Sequence, residues 1–102
     1  MSLELAKHAA PIADLCRRYG VLRLELFGSA TTSRYDPAHS DLDFLVEFEP
    51  HPGGGYADAY FGLLEGLEGH FGRPVDLVVE SAIRNRYFRE SVDRNKRLLY
   101  AG

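Results

Sequence analysis

Thiols are nearly absent from this 102-residue chain: Cys16 is its single cysteine. That excludes an intrachain disulfide and any cysteine-cluster metal site. A reducing cytosol fits such a chain best, so a cytoplasmic protein is expected. Long apolar runs are missing as well. No stretch approaches the ~18–20 uncharged residues that cross a bilayer, and no membrane association is expected. The N-terminal segment carries Glu4, Lys7, Asp14, Arg17 and Arg18, unlike a signal peptide. Internal repeats and low-complexity tracts are also lacking. What remains is an ordinary globular balance, 45% hydrophobic and 26% charged. The length suits one domain over residues 1–102, with one core and no room for a separate substrate-binding domain.

Basic residues are scarce where acids gather. Residues 35–80 contain ten acids and one base, Arg73, a local charge of −9, whereas residues 84–97 carry +4. An acidic centre repels phosphate backbones, so no direct nucleic-acid binding is expected there. It suits divalent cations instead. The basic stretch reads first as a solvated helix face and second as a surface for an acidic partner or a phosphate.

Periodicity orders the elements as α-β-α-β-α-β-α, with Leu98-Leu99-Tyr100 as a short final strand. Leu5, Ala9, Ile12, Ala13, Cys16 and Tyr19 follow helical spacing up to Gly20; Pro11 either kinks this run or sits in its first turn. Residues 21–27 alternate as a strand, with Leu22, Leu24 and Leu26 on one face. A short helical turn is expected from Ala30 to Arg34. Residues 42–49 form a second strand, with Leu42, Phe44, Val46 and Phe48 on one face and Asp43, Leu45, Glu47 and Glu49 on the other. Tyr56 to Phe71 is an amphipathic helix, and Val75 to Glu80 a third strand. Ser81 is placed to cap a last helix reaching Asn95, with Ile83, Tyr87, Phe88 and Val92 inward. The fold class is α+β, an α/β-type two-layer arrangement with a small mixed sheet covered by helices. Helices on one side only would leave the other face open to solvent.

Asp41 and Asp43 stand two residues apart at the start of a strand, so both side chains share a face. Two like charges so placed repel. A hard cation such as Mg²⁺ resolves the conflict by taking one oxygen from each. An isolated Asp-x-Asp reads more readily as two solvated carboxylates at a strand edge. Asp76 adds weight, because it interrupts the apolar run Val75, Leu77, Val78, Val79, where a charge is costly unless paired or liganded. It either pairs with an arginine such as Arg73 or, if its strand lies beside the second, joins the Asp41/Asp43 face. Three convergent carboxylates are the ligand set for two metal ions in phosphoryl transfer. Gly28-Ser29 ends the first strand before a helical turn. It reads as a helix cap or as a cradle of N–H groups and a hydroxyl for phosphate oxygens.

Taken together, Leu26-Phe27-Gly28-Ser29, then Ser40-Asp41-Leu42-Asp43-Phe44-Leu45-Val46, then Val75-Asp76-Leu77-Val78, resemble the nucleotidyltransferase superfamily that includes DNA polymerase β. Length and order resemble its minimal nucleotidyltransferase (MNT) antitoxins. The resemblance covers nearly the whole chain, including Ile83-Arg84-Asn85 at the opening of the last helix. It implies a polymerase-β-like fold and a Mg²⁺-dependent transfer of a nucleoside monophosphate, AMP from ATP, to a hydroxyl. By that resemblance Asp41, Asp43 and Asp76 are the catalytic and metal residues, holding two Mg²⁺ ions, with Asp76 helping to deprotonate the acceptor. Gly28, Ser29, Arg34 and Ser40 bind the nucleoside triphosphate. The implied partner is a HEPN-type toxin, in a homo- or hetero-oligomer. Two other readings share the fold: an idle antitoxin acting by contact, and a small-molecule nucleotidyltransferase.

The chain departs from the family pattern at one point. Family members usually continue Gly-Ser with x-Ala-Arg-Gly, whereas here Gly28-Ser29 is followed by Ala30-Thr31-Thr32-Ser33-Arg34. Arg34, displaced by two positions, is the candidate substitute; without one, the departure implies weak or absent catalysis. Elsewhere, His8, His39, His51 and His70 lack zinc-ligand spacing. Cys16 reads as a packing residue. Tyr56, Tyr60 and Phe61 cannot all face inward on one helix, so surplus aromatics point to a partner surface.

Overall fold

The computed structural model describes residues 5–28, 42–50, 55–80, 83 and 85–102. A 3-10 turn, Leu5–His8, leads into α1 (Ala9–Arg18), followed by β1 (Val21–Phe27), β2 (Leu42–Phe48), α2 (Tyr56–Phe71), β3 (Val75–Val79), α3 (Arg86–Asn95) and β4 (Arg97–Ala101). Pro11 lies in the first turn of α1, where the missing N–H costs little. The turn expected over residues 30–34 lies outside the described residues.

The four strands form one mixed sheet in the order β3-β2-β1-β4. β1 runs antiparallel to both β2 and β4, while β2 and β3 are parallel. A parallel pair cannot be joined by a tight turn, and α2 supplies the crossover. This is the α+β arrangement expected from the sequence, and the terminal strand is present.

The main core lies between one sheet face and the α1/α2 layer. Ile12 and Cys16 of α1, and Ala59, Leu63 and Leu67 of α2, pack on Leu24, Leu26, Leu42, Phe44, Val46 and Leu77. Each large side chain so buried contributes roughly 1.5–3 kcal/mol. The two helices meet closely because α2 presents Gly62 and Gly66. A Cβ on Gly62 would fall on the Tyr19 ring, and one on Gly66 on a Leu15 methyl. Gly72 ends α2 in the left-handed conformation, its N–H donating to the Glu68 carbonyl at 2.8 Å.

Three expectations are corrected. Leu22 does not share the core face with Leu24 and Leu26; it is 37% exposed while Val21 is buried. The ladder slips between Val21 and Arg23, and the extra residue of that bulge turns Leu22 outward. Secondly, α3 does not start from Ser81, which lies outside the described residues. Its cap is Asn85, whose Oδ1 accepts from the N–H groups of Tyr87 (2.9 Å) and Phe88 (3.2 Å).

Thirdly, the helices do not all lie on one side. The far sheet face carries its own apolar patch, Phe27 and Leu45 with Val78 and Ile83, which demands cover. α3 supplies it: Phe88 meets Phe27 edge-to-face at 6.2 Å. Arg89 fastens the helix to the end of β3, donating to Glu80 Oε1 (3.4 Å) and to the Glu80 carbonyl (3.2 Å). The patch is small, so α3 is only partly covered in return. Tyr87 remains 73% exposed and Phe88 42% exposed, contrary to the expectation that both point inward.

Candidate active site

The pleat of β2 buries Leu42, Phe44 and Val46 against the main core. It therefore turns Asp43 to the face on which α3 lies. In the parallel ladder the Cα partner of Asp43 is Asp76, and in the antiparallel ladder it is Phe27. Paired residues project to the same side, and neighbouring strands are about 4.8 Å apart. One row across the sheet thus reads Asp76, Asp43, Phe27. Asp43 is half-buried and Asp76 exposed.

Gly28 follows Phe27 directly and has φ +75°, a conformation that L side chains rarely adopt. A Cβ there would fall on Asp43 Oδ2. Glycine is required first by the approach of this carboxylate to the backbone. The end of β1 and the start of β2 are thereby drawn together, with an acidic oxygen beside the glycine. Asp41, Ser29, Ser40 and Arg34 lie outside the described residues, as do His39 and His51.

Three further features were not legible in the sequence. Glu25, on the same sheet face, is the buried charged residue among the described ones, 3% exposed. Its carboxylate meets Arg23 Nε at 3.1 Å and Lys96 Nζ at 3.6 Å. The Lys96 contact ties the junction of α3 and β4 to β1. Strand alternation showed which way Glu25 faces but not that α3 would close over it. The second feature is Tyr60 of α2, whose hydroxyl donates to the Leu77 carbonyl at 2.6 Å. This braces β3, an edge strand, beside Asp76. Burial, and then the Asp76 charge, push the Tyr60 phenol upward. The third is a contact between His8 Nδ1 and His70 Nε2 at 2.8 Å, joining residues 62 positions apart.

Among the described residues, no group of three or more His, Cys, Asp or Glu side chains is placed to hold a metal ion. The acidic row contributes two carboxylates, hard oxygen donors whose repulsion a hard cation offsets; such a donor set fits Mg²⁺ and not a soft metal. Cys16 stands apart from this chemistry, buried in the core with its thiol pushed up to about 12 by burial. No helix of the described residues is long and apolar enough to cross a membrane.

Comparison with known proteins agrees with this architecture. The family model for a nucleotidyltransferase domain matches residues 12–99. "Putative protein adenylyltransferase MJ1379" of Methanocaldococcus jannaschii is 32% identical over 91 residues, covering 89% of this chain and 86% of that protein. A solved structure described as a "putative minimal nucleotidyltransferase" superposes with a TM-score of 0.74 at 36% identity, covering 95% of each chain. The fold alone is shared with a chain from the complex of a tri-AMPylated Shewanella oneidensis HEPN toxin and an MNT antitoxin. There the TM-score is 0.65 at 19% identity, over 96% of this chain and 73% of the other. With the match running from α1 to β4, the chain belongs to the nucleotidyltransferase domain family.

Proposed function

We propose that this nucleotidyltransferase moves AMP from ATP to a hydroxyl of a partner protein, and that the partner is a HEPN-type toxin for which the chain is the MNT antitoxin. The observation that carries the reading is the acidic row, with Asp43 and Asp76 paired on adjacent strands and Gly28 against Asp43. The name of the Methanocaldococcus relative supports a protein acceptor, and the Shewanella complex supports the toxin class.

In this reading Asp43, with Asp41 and Asp76, would hold two Mg²⁺ ions. When bound, these offset negative charge on the α-phosphate and on the departing pyrophosphate. Gly28, Ser29, Ser40 and Arg34 hold the triphosphate, the glycine admitting it close to the backbone. The acceptor oxygen attacks the α-phosphorus, the bond to pyrophosphate breaks, and a carboxylate oxygen of Asp76 receives the hydroxyl proton. Asp76 is exposed at the edge-strand side of the row, open to an acceptor brought by another protein.

The test is incubation of the purified chain with a candidate HEPN toxin, ATP and Mg²⁺, read by intact mass. Each AMP adds ~329 Da, the net gain when an adenylyl group replaces the hydroxyl proton of the acceptor and pyrophosphate leaves. Transfer is expected to vanish in Asp43→Ala and Asp76→Ala. A second reading, an idle antitoxin, is favoured by the altered segment after Ser29. Toxin neutralised equally by wild type and both variants, without a mass shift, would establish it.

A further inference from the structure

The acidic row ends at an aromatic residue, and that residue is in contact with a second, half-open ring. Phe27 is the Cα partner of Asp43 and is itself buried. Phe88 stands against it edge-to-face, ring centroids 6.2 Å apart, and keeps 42% of its surface exposed. The remaining exposed aromatics among the described residues are placed differently. Tyr56 and Phe61 belong to α2, whose layer covers the opposite sheet face. Tyr87 already has the Arg86 guanidinium over its ring, 5.7 Å from the centroid.

We propose that Phe88 is the platform on which the base of the nucleoside triphosphate stacks. The inference rests on the nucleotidyltransfer reading of the acidic row and adds to it the base-binding surface. Distance favours it: from Asp43 to Phe27 is one strand spacing, about 4.8 Å, and from Phe27 to Phe88 one ring contact. A base joined through its ribose to phosphates at the carboxylates has that reach. Chemistry favours it as well. The paired carboxylates of the row would repel the phosphates' negative charge without a cation, whereas a neutral base binds an aromatic face without one. Every base has a π-face, so the platform fixes the position of the base with little preference among bases.

The test is calorimetric titration of wild type, Phe88→Leu and Phe88→Tyr with ATP and, separately, with inorganic tripolyphosphate, all with Mg²⁺. Leucine keeps an apolar contact on Phe27 and removes the ring; tyrosine keeps both. Phe88→Leu is expected to bind ATP about ten-fold more weakly and tripolyphosphate as wild type does. Phe88→Tyr is expected to match wild type for both. Unchanged ATP affinity in Phe88→Leu overturns the platform. Unchanged ATP affinity with lost toxin binding overturns it in favour of a protein-docking role. Equal loss for both ligands, or a drop in melting temperature that accounts for the loss, assigns Phe88 to structure. If wild type binds neither ligand, the nucleotide reading itself falls, and the platform with it.

Discussion

At the scale of single residues, the tightest constraint is the meeting of Gly28 and Asp43. Two independent costs oppose any side chain at position 28. The left-handed φ of +75° penalises L residues by roughly 1–2 kcal/mol, and a Cβ collides with Asp43 Oδ2. Gly28→Ala is therefore expected to lower stability by about 1–2 kcal/mol in urea denaturation. Its ATP affinity should fall further than that of a surface control, because Asp43 must swing away from the methyl group. An alanine variant with wild-type stability and affinity would refute both halves of this account. The Gly-Ser dipeptide was legible in the sequence as a candidate phosphate cradle. That Asp43 presses on this glycine was not, because the contact joins strand ends 15 residues apart.

Among the elements, α1 and α2 are bound by more than apolar packing. His8, just before α1, and His70, in the last turn of α2, share a 2.8 Å contact, with Phe71 beside both rings. Burial first, then the charges of His70 and Lys7, hold His8 below its ordinary value, which is about 6.5. The unfolded chain thus binds a proton that the folded chain resists, between that value and the lowered one. The contribution to stability is complete above about pH 6.5 and is lost as pH falls through the folded value. Thermal unfolding across pH 8 to 5 is expected to show this acid-side loss, and His8→Gln should flatten it. The effect is small, because His8 is only half-buried, His70 is exposed and solvent screens their contact. A slope that His8→Gln leaves untouched would remove His8 as its source. Element types and most boundaries followed from periodicity: β1, α2 and β3 begin where the alternation or helical spacing begins. The start of α3 did not, since Ser81 and Asn85 are both good caps and only the hydrogen bonds to Tyr87 and Phe88 distinguish them.

For the whole molecule, the core and the acidic row are separate constructions on one sheet. The main core, between α1, α2 and one sheet face, contains no carboxylate among its buried members. The row lies on the other face. Metal removal is accordingly expected to abolish nucleotide binding and transfer while the fold persists. EDTA should leave the far-UV circular dichroism and the melting temperature of the nucleotide-free chain unchanged. Melting lowered by several degrees in EDTA would instead make the cation part of the fold, as in small metal-dependent domains.

The sequence by itself determined most of the composition of the two sheet faces, because period-2 alternation assigns each side chain its side; Leu22 is the exception, since a bulge in the pairing of β1 with β2 turns it outward. The sequence likewise determined that an Asp-x-Asp, a Gly-Ser and a later strand aspartate occur in an order characteristic of nucleotidyltransferases. Only the tertiary structure decided that β3 lies beside β2 in the register pairing Asp76 with Asp43. The hydrophobic alternation that specifies register by twos cannot by itself choose between neighbouring even registers. Tertiary structure also decided that α3 crosses to the acidic face and that Glu25 is buried between Arg23 and Lys96. Local spacing carries no information on such contacts, since the groups that meet are brought together by the packing of separate elements.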